Sequence, residues 1–539
     1  MNENWDYIVV GAGSSGCVVA EKLSADPRNR VLVLEAGGES GFWNRVPKGV
    51  AKLVTNPDRI WAYPVAQPRE ENGPANEVWI RGKGVGGSSS VNGMIWSRGE
   101  REDYDAWERD HGAAGWNGDS MTEAFLRLED HPYGPSPMLG SGGPVHVEPE
   151  IYTYPLADEM IAAGEALQLK RVRELNEQPG PRVGYYSHNI RRGKRESAAR
   201  TFLDPARRRP NVRVVTGARA ERITFEGNRA TGIEVMVDGE MTHFACSGEI
   251  VVSAGAIESP LLLQRSGIGD AAWLKGKGVD PLVDNAHVGA HLNEHLSLSM
   301  PYRLKSGKGT NRQFYGAGAA LAMARYMLTG GGIMATGPFE VGAFLNVAHP
   351  DGRVDAQFYL GAYTFEVGDG NNPVPLDKID RQPGITIYAS LLRLSSEGNI
   401  RIGGAGVSDA PDIQPNFLST EHDRASAVAL VRRMRAFMDA PPLGARVGEE
   451  LLPGRDVEGD EAILAFFRRY STCGLHGIGT CRMGSGDDSV VDAQLRVRGV
   501  TGVRVADCSI MPGQVTGNTN APAMAIGLRC ADMMRQAPA

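Results

Sequence analysis

The chain has 539 residues, 42% of them hydrophobic, too many for one simple core, so two domains are expected. Its net charge is −7, with both signs mixed along the chain, which speaks against nucleic acid as a partner. No apolar run reaches the roughly 18 residues that span a bilayer, and Met1 leads into the first strand without room for a signal peptide, so a cytoplasmic enzyme is expected.

The chain opens on D-Y-I-V-V-G-A-G-S-S-G, residues 6–16. Tyr7 to Val10 reads as a buried parallel strand, and Gly11, Gly13 and Gly16 follow it in the G-x-G-x-x-G pattern. The first glycine permits a tight turn, the second a close pyrophosphate, and the third a close helix–strand approach. A helix beginning near Ser14 would aim its N-terminal N–H groups at the phosphates. A Gly-rich turn in an ordinary βαβ unit is the alternative. The second apolar run, Val31 to Leu34, ends in Glu35, about 20 residues past the last glycine, where a carboxylate accepts ribose hydroxyls and repels the 2′-phosphate of NADP.

Trp61 to Pro64 and the Pro/Glu/Asn-rich stretch 67–77 read as loop over a cofactor. Residues 81–99, R-G-K-G-V-G-G-S-S-S-V-N-G-M-I-W-S-R-G, offer a run of N–H and hydroxyl donors for an anion. The large apolar residues that close this stretch argue for an ordered element rather than a linker. Asp103 to Arg109, Met121 to Glu129 and Leu156 to Leu167 have helical spacing, and Pro132 to Pro149 is a Gly/Pro-rich candidate boundary. Strands are expected at Asn211 to Thr216, Thr231 to Val237 and Glu249 to Ser253, with a helix from Ala256. Asp355 to Tyr363, Gly384 to Leu394 and Asn399 to Ile402 alternate as a separate antiparallel sheet would. The Gly-rich style returns at Gly474, so the domains are assembled from discontinuous segments. The six cysteines (17, 246, 473, 481, 508 and 530) contain no C-x-x-C pair, so reduced thiols and no metal site are expected.

Four motifs spread over nearly the whole chain make it resemble the glucose–methanol–choline (GMC) oxidoreductases, flavoproteins that oxidise alcohols. They are the fingerprint above, residues 81–99, S-A-G-A-I-E-S-P-L-L-L-Q-R-S-G-I-G at 253–269, and the pair L-H-G-I-G-T-C-R-M-G at 475–484 with V-A-D-C-S-I-M-P…T-G-N-T-N-A-P at 505–522. V-G-A-H-L-N-E-H, 288–295, resembles a further family segment with His291 and Glu294 altered. The resemblance implies an α/β chain with a Rossmann-like FAD-binding domain (1–135, 185–300 and 474–539). A second, α+β substrate domain (136–184 and 301–473) would be built on an antiparallel sheet. It implies that Gly11, Gly13, Ser14 and Gly16 cradle the pyrophosphate of FAD, that Glu35 takes the ribose, and that Ala220 contacts the adenine. Gly87, Ser88 and Asn92, Gly93, Met94 and Ile95 would run beneath the flavin, with Asp507, Asn518 and Thr519 at its ribityl and pyrimidine end. Some relatives tether FAD through a histidine at the position of Asn92; asparagine cannot, so noncovalent FAD is expected.

His476 is the expected base, since imidazole titrates near neutrality, and Asn518 the expected hydrogen-bond donor to the alcohol oxygen. The expected substrate is a primary alcohol, aromatic or otherwise apolar, with a quinone-like acceptor or oxygen reoxidising the flavin. In relatives the residue two before the catalytic histidine packs near the flavin edge that meets oxygen; here it is Gly474, and a dehydrogenase is favoured. The alternatives are a flavin-containing hydroxynitrile lyase of the same fold and a noncatalytic flavin-binding protein. His291 and His295, four apart, read as structural. Met323, Met327 and Met334 read either as an apolar lid over the substrate cavity or as core packing.

Overall fold

The structure, a computed structural model, describes residues 4–66, 76–348, 352–366 and 378–536. A seven-stranded sheet forms around the N-terminal fingerprint. Its parallel half runs Val212–Thr216, Val31–Glu35, Asn4–Val10 and Glu240–Val252, with Val503–Val505 also pairing with Glu240–Val252. Arg229–Val237 and Ala218–Glu226 continue it as an antiparallel meander. Tyr7 sits opposite Val31 and Val10 opposite Val252. Ile8, Val9, Val31, Val33, Ile250 and Val252 are fully buried, as strands covered on both faces must be. Helices Ser14–Leu23 and Asn520–Gln536 pack together over this sheet. Gly527 lets them approach, since a Cβ there would lie 2.6 Å from the Ser15 carbonyl oxygen.

The second sheet has eight strands. Its main path runs Val447–Glu450, Leu296–Leu304, Gly384–Leu391, Ala356–Gly361, Val341–Leu345, Arg182–Tyr185 and Lys170–Arg171, and Thr472–Cys473 pairs with Leu296–Leu304. All pairs but the last on the path are antiparallel. Period-two alternation divides its faces. Leu298, Met300, Tyr302, Phe358, Leu360, Ile385 and Ile387 pack into one core with Met160, Leu430, Met434 and Phe467 of the helices Pro155–Ala166, Glu421–Asp439 and Asp460–Tyr470. The alternate residues Gln357, Tyr359, Tyr388 and Ser390 belong to the other face.

Two sequence expectations change, and one left open between two readings is decided. Asn399–Arg401 does not join this sheet. It pairs with Asp412–Gln414 as a separate ribbon, and the Ile400 N–H and carbonyl bond to Gly289 and Gln264 beside the helix Gly255–Arg265. Trp61 to Pro64 is not loop but part of strand Ile60–Ala66, paired with Asn76–Gly82; its alternating aromatic and β-branched residues put Tyr63 and Val65 in a core. Of the expected loop 67–77, residues 67–75 lie outside the described residues. Met323 and Met334 pack beside Val46, Tyr326 and Ala335, and Met327 is exposed; none of the three lines the cavity described below. No helix among the described residues is long and apolar enough to cross a membrane.

Candidate active site

A cavity opens between the two sheets and takes its lining from both. From the first sheet it receives the carboxyl ends of the parallel strands: Val10 to Gly11, Leu34 to Glu35, and Ser253 after Val252. Asp507, just past Val503–Val505, joins them. That is where an open α/β sheet binds its ligand. Gly13, Ser14, Gly87, Ser88, Asn92 to Ile95, Ala220, Asn518 and Thr519 line the same cavity. Gly16 does not. A Cβ there would stand 2.0 Å from the Gly11 carbonyl oxygen, so Gly16 serves the close helix–strand approach rather than the cradle.

The lining suits a dinucleotide. Ser14–Leu23 begins without a side-chain cap, leaving its first N–H groups and dipole free for an anion. Ser15 Oγ and Asn520 Nδ2, at the starts of the two packed helices, are buried without a hydrogen-bond partner, a costly state that a phosphate or flavin oxygen would relieve. Glu35 accepts from the Ala12 N–H at 2.9 Å, Gly37 N–H at 2.8 Å and Gly84 N–H at 3.1 Å. A carboxylate has about four acceptor positions, so room remains for a ribose hydroxyl. Burial raises the Glu35 pKa against the pull of those three donors. Asp507 accepts from the N–H groups of Gly255 and Ser509, each at 2.8 Å, tying two strand ends together.

His476 and Asn518 meet at the antiparallel sheet's face of the cavity. Asn518 Nδ2 lies 3.2 Å from His476 Nε2. The direction of that bond follows from a chain of partners. The Tyr186 hydroxyl donates to the Phe358 carbonyl, and Gln357 Nε2 donates to the Tyr186 oxygen and to Asn518 Oδ1, while the Tyr359 hydroxyl donates to Gln357 Oε1. With Oδ1 held this way, Asn518 turns its NH2 toward His476. Nε2 of His476 is therefore an acceptor, and its proton sits on Nδ1, 3.0 Å from Nδ1 of His295. His295, expected to be structural, thus belongs to the site, while His291 bonds instead to His287 and Glu397.

Behind the backbone of the two histidines, Glu294 accepts from the N–H of His295 at 2.9 Å and of His476 at 2.6 Å, and pairs with Arg81 at 3.3 Å. Burial pushes its carboxyl up to about 7 against these donors. Burial, then the Arg81 charge, holds His476 down to about 3. A neutral imidazole whose Nε2 accepts from an oriented amide donor can exchange that bond for a hydroxyl, which the amide N–H then holds while Nε2 takes its proton. Sequence reasoning missed Gln357, Tyr359, Tyr186, Glu294 and Arg81 as site residues. The available signal was the alternation in 355–363, which sets Gln357 and Tyr359 opposite the apolar face.

Two family profiles described as GMC oxidoreductase match residues 5–297 and 395–527. An alcohol dehydrogenase [acceptor] of Pseudomonas putida is 34% identical over 537 residues, covering 98% of this chain and 95% of the relative. An oxygen-dependent choline dehydrogenase of Burkholderia cenocepacia is 34% identical over 539 residues, covering 98% and 93%. The solved pyridoxine 4-oxidase of Mesorbium loti superposes with a TM-score of 0.88 at 30% identity, over 99% of this chain and 100% of that one. With the fingerprint, the cavity at the strand ends and the matches along both halves, the chain belongs to the GMC oxidoreductases and is a flavoprotein that takes FAD.

Proposed function

We propose that the protein oxidises a primary alcohol with an aromatic or otherwise apolar body to its aldehyde. The observation that carries this reading is the unprotonated Nε2 of His476, paired with the Asn518 amide in a cavity walled by Phe339, Tyr359 and Tyr388. Bound FAD supplies the hydride acceptor. His476 takes the hydroxyl proton at Nε2, and Asn518 Nδ2 donates to the alcohol oxygen as negative charge develops there. Tyr359 and Gln357 hold that amide. We assign the FAD site to the unit 1–135, 186–295 and 474–539 and the substrate wall to 136–185 and 296–473, moving the expected boundaries of 185 and 300. These boundaries keep Arg182–Tyr185 and Leu296–Leu304 within their sheet.

The apolar preference rests on charge. Glu35, Glu258 and Asp507 are the acidic residues of the lining, and each is engaged away from His476: Glu35 and Asp507 with backbone N–H groups, Glu258 with the Tyr63 hydroxyl. A cationic head group beside His476 finds no carboxylate in the lining there; Glu294, outside the lining, is engaged by the backbone N–H groups of His295 and His476 and by Arg81, whose own charge is like that of the head group. The second reading is a quaternary ammonium alcohol such as choline. It is favoured by the clustered rings of Phe339, Tyr359 and Tyr388, whose centroids lie 5.5–5.9 Å apart and which can face a cation.

Anaerobic titration tests both readings. A benzylic alcohol should bleach the flavin absorbance and yield the aldehyde, and choline should not. Choline bleaching with equal kcat/KM would overturn the apolar assignment. Cyanohydrin cleavage without bleaching by any alcohol would make the enzyme a lyase, and neither reaction would leave a noncatalytic flavoprotein.

A further inference from the structure

Three segments, 41–57, 190–195 and 311–336, contain no Asp or Glu although the chain has a net charge of −7. They meet on one side of the molecule. Arg195 Nε donates to the Asn44 carbonyl at 3.1 Å, and the Tyr326 hydroxyl donates to the Gly193 carbonyl at 3.0 Å. Val46, Tyr326 and Ala335 share one small core. Arg45, Lys52, Arg192, Lys194 and Arg325 on these segments are exposed, and none forms an ion pair among the described residues.

Large apolar side chains stand among these cations. Helix Gly316–Thr329 buries Tyr326 alone. It leaves Leu321 at 73%, Met327 at 62% and Leu328 at 86% exposure, and Phe42 and Trp43 are exposed at 54% and 39%. Ala317, Ala320, Leu321, Ala324 and Leu328, all exposed, recur at i, i+3, i+4, i+7 and i+11, a single stripe along a helix about 21 Å long. Soluble surfaces rarely gather this much apolar area in one place without a partner.

We propose that this face docks on an anionic lipid bilayer, with the helix lying in the interface and not crossing it. An apolar stripe rimmed by Lys and Arg, with Trp and Phe beside it, is the chemistry of an interfacial helix on an anionic leaflet. A second copy is the poorer occupant. A two-fold contact brings a patch against itself, and these unpaired cations would face their own counterparts with no acid between them. The segment 41–57 also supplies Val50 and Val54 to the cavity lining, so docking would place the cavity beside the lipid, where an apolar alcohol concentrates. The inference does not rest on the proposed reaction, because its test reads binding alone.

The test is co-sedimentation of the FAD-loaded protein with vesicles. Vesicles containing phosphatidylglycerol should bind it, pure phosphatidylcholine vesicles should bind it far less, and high salt should release it. Arg45→Gln with Lys194→Gln should weaken binding about 30-fold, since each basic group near an anionic leaflet contributes roughly fivefold. Trp43→Ser with Leu328→Ser should weaken it further, with flavin content and the unfolding temperature unchanged for both pairs. Absence of binding to the anionic vesicles, or unchanged binding by both pairs, overturns the proposal. So does a dimer in sedimentation equilibrium that Leu328→Ser dissolves, or capture by an acidic protein in place of vesicles.

Discussion

At the scale of single residues, the site is a problem of protonation. His476→Ala should leave FAD bound and slow flavin reduction by about 10²–10⁴-fold, the range of a lost general base; reduction at the wild-type rate would refute the assignment. Asn518→Ala should cost about 10²-fold, as a lost transition-state hydrogen bond does. Gln357 touches no reacting atom but fixes which end of the Asn518 amide faces His476. Gln357→Leu should lower kcat with KM nearly unchanged, and Gln357→Glu, which lacks the NH2 donor, should not rescue it. The pH profile has its own signature. His476, held down to about 3, stays neutral and competent above about pH 5. Glu294, raised to about 7, ionises in the working range, and a new negative charge at the His476 backbone N–H makes the imidazole a stronger base. kcat/KM should therefore rise through about pH 7, and the step should vanish in Glu294→Gln. A step that survives there belongs to His476.

At the scale of elements, the flavin side of the site was readable and the substrate side was not. Two glycines of the fingerprint, Gly11 and Gly16, answer to steric demands in the chain itself. A Cβ at Gly16 would strike the Gly11 carbonyl, and Gly11 itself has a φ of 99°, so sequence spacing alone locates the turn. The buried parallel strands announce themselves as unbroken β-branched runs. The antiparallel sheet gives a weaker signal: alternation in 355–363 says that one face is apolar and nothing about what the other face meets. Gln357 reaches Asn518 across 161 positions, and no local pattern encodes that. His295 was read as structural because no third metal ligand accompanies the His291–His295 spacing, and its partner His476 lies 181 positions away, beyond any local pattern. Two predictions belong here. Gly16→Val, which forces helix and strand apart, should lower FAD content and the unfolding temperature together; full FAD with only a lower unfolding temperature would uncouple the two. Asn92 lines the cavity with its Oδ1 taken by Arg195 at 2.7 Å and by the Met94 N–H at 3.1 Å, and its amide is no nucleophile. Acid precipitation should therefore leave the yellow colour in the supernatant; colour in the washed pellet would show a covalent link.

At the scale of the whole molecule, the choice of electron acceptor depends on what the two sheets bring to their shared cavity. Reduction of oxygen creates negative charge beside the flavin, and a nearby uncompensated positive charge favours it. Arg219 and Arg265 line the cavity beside Ala220; the cation acting on His476 is Arg81, and Glu294 pairs with it at 3.3 Å. His476 is held neutral by burial and adds no charge of its own. Gly474, which lines the cavity where relatives place a side chain near the flavin edge, offers no apolar contact. It cannot easily gain one, since a Cβ there would stand 2.8 Å from Cβ of His295. Glycine also removes a steric barrier to oxygen, but an open path without electrostatic help leaves the slow step slow. The expected outcome is a dehydrogenase. After anaerobic reduction by substrate, a quinone-like or dye acceptor should restore the flavin absorbance within the turnover time, and air-saturated buffer should not. Rapid reoxidation by oxygen with stoichiometric peroxide would make the enzyme an oxidase. It would also mean that His476 keeps the alcohol's proton until oxygen arrives, supplying the positive charge that the free site lacks.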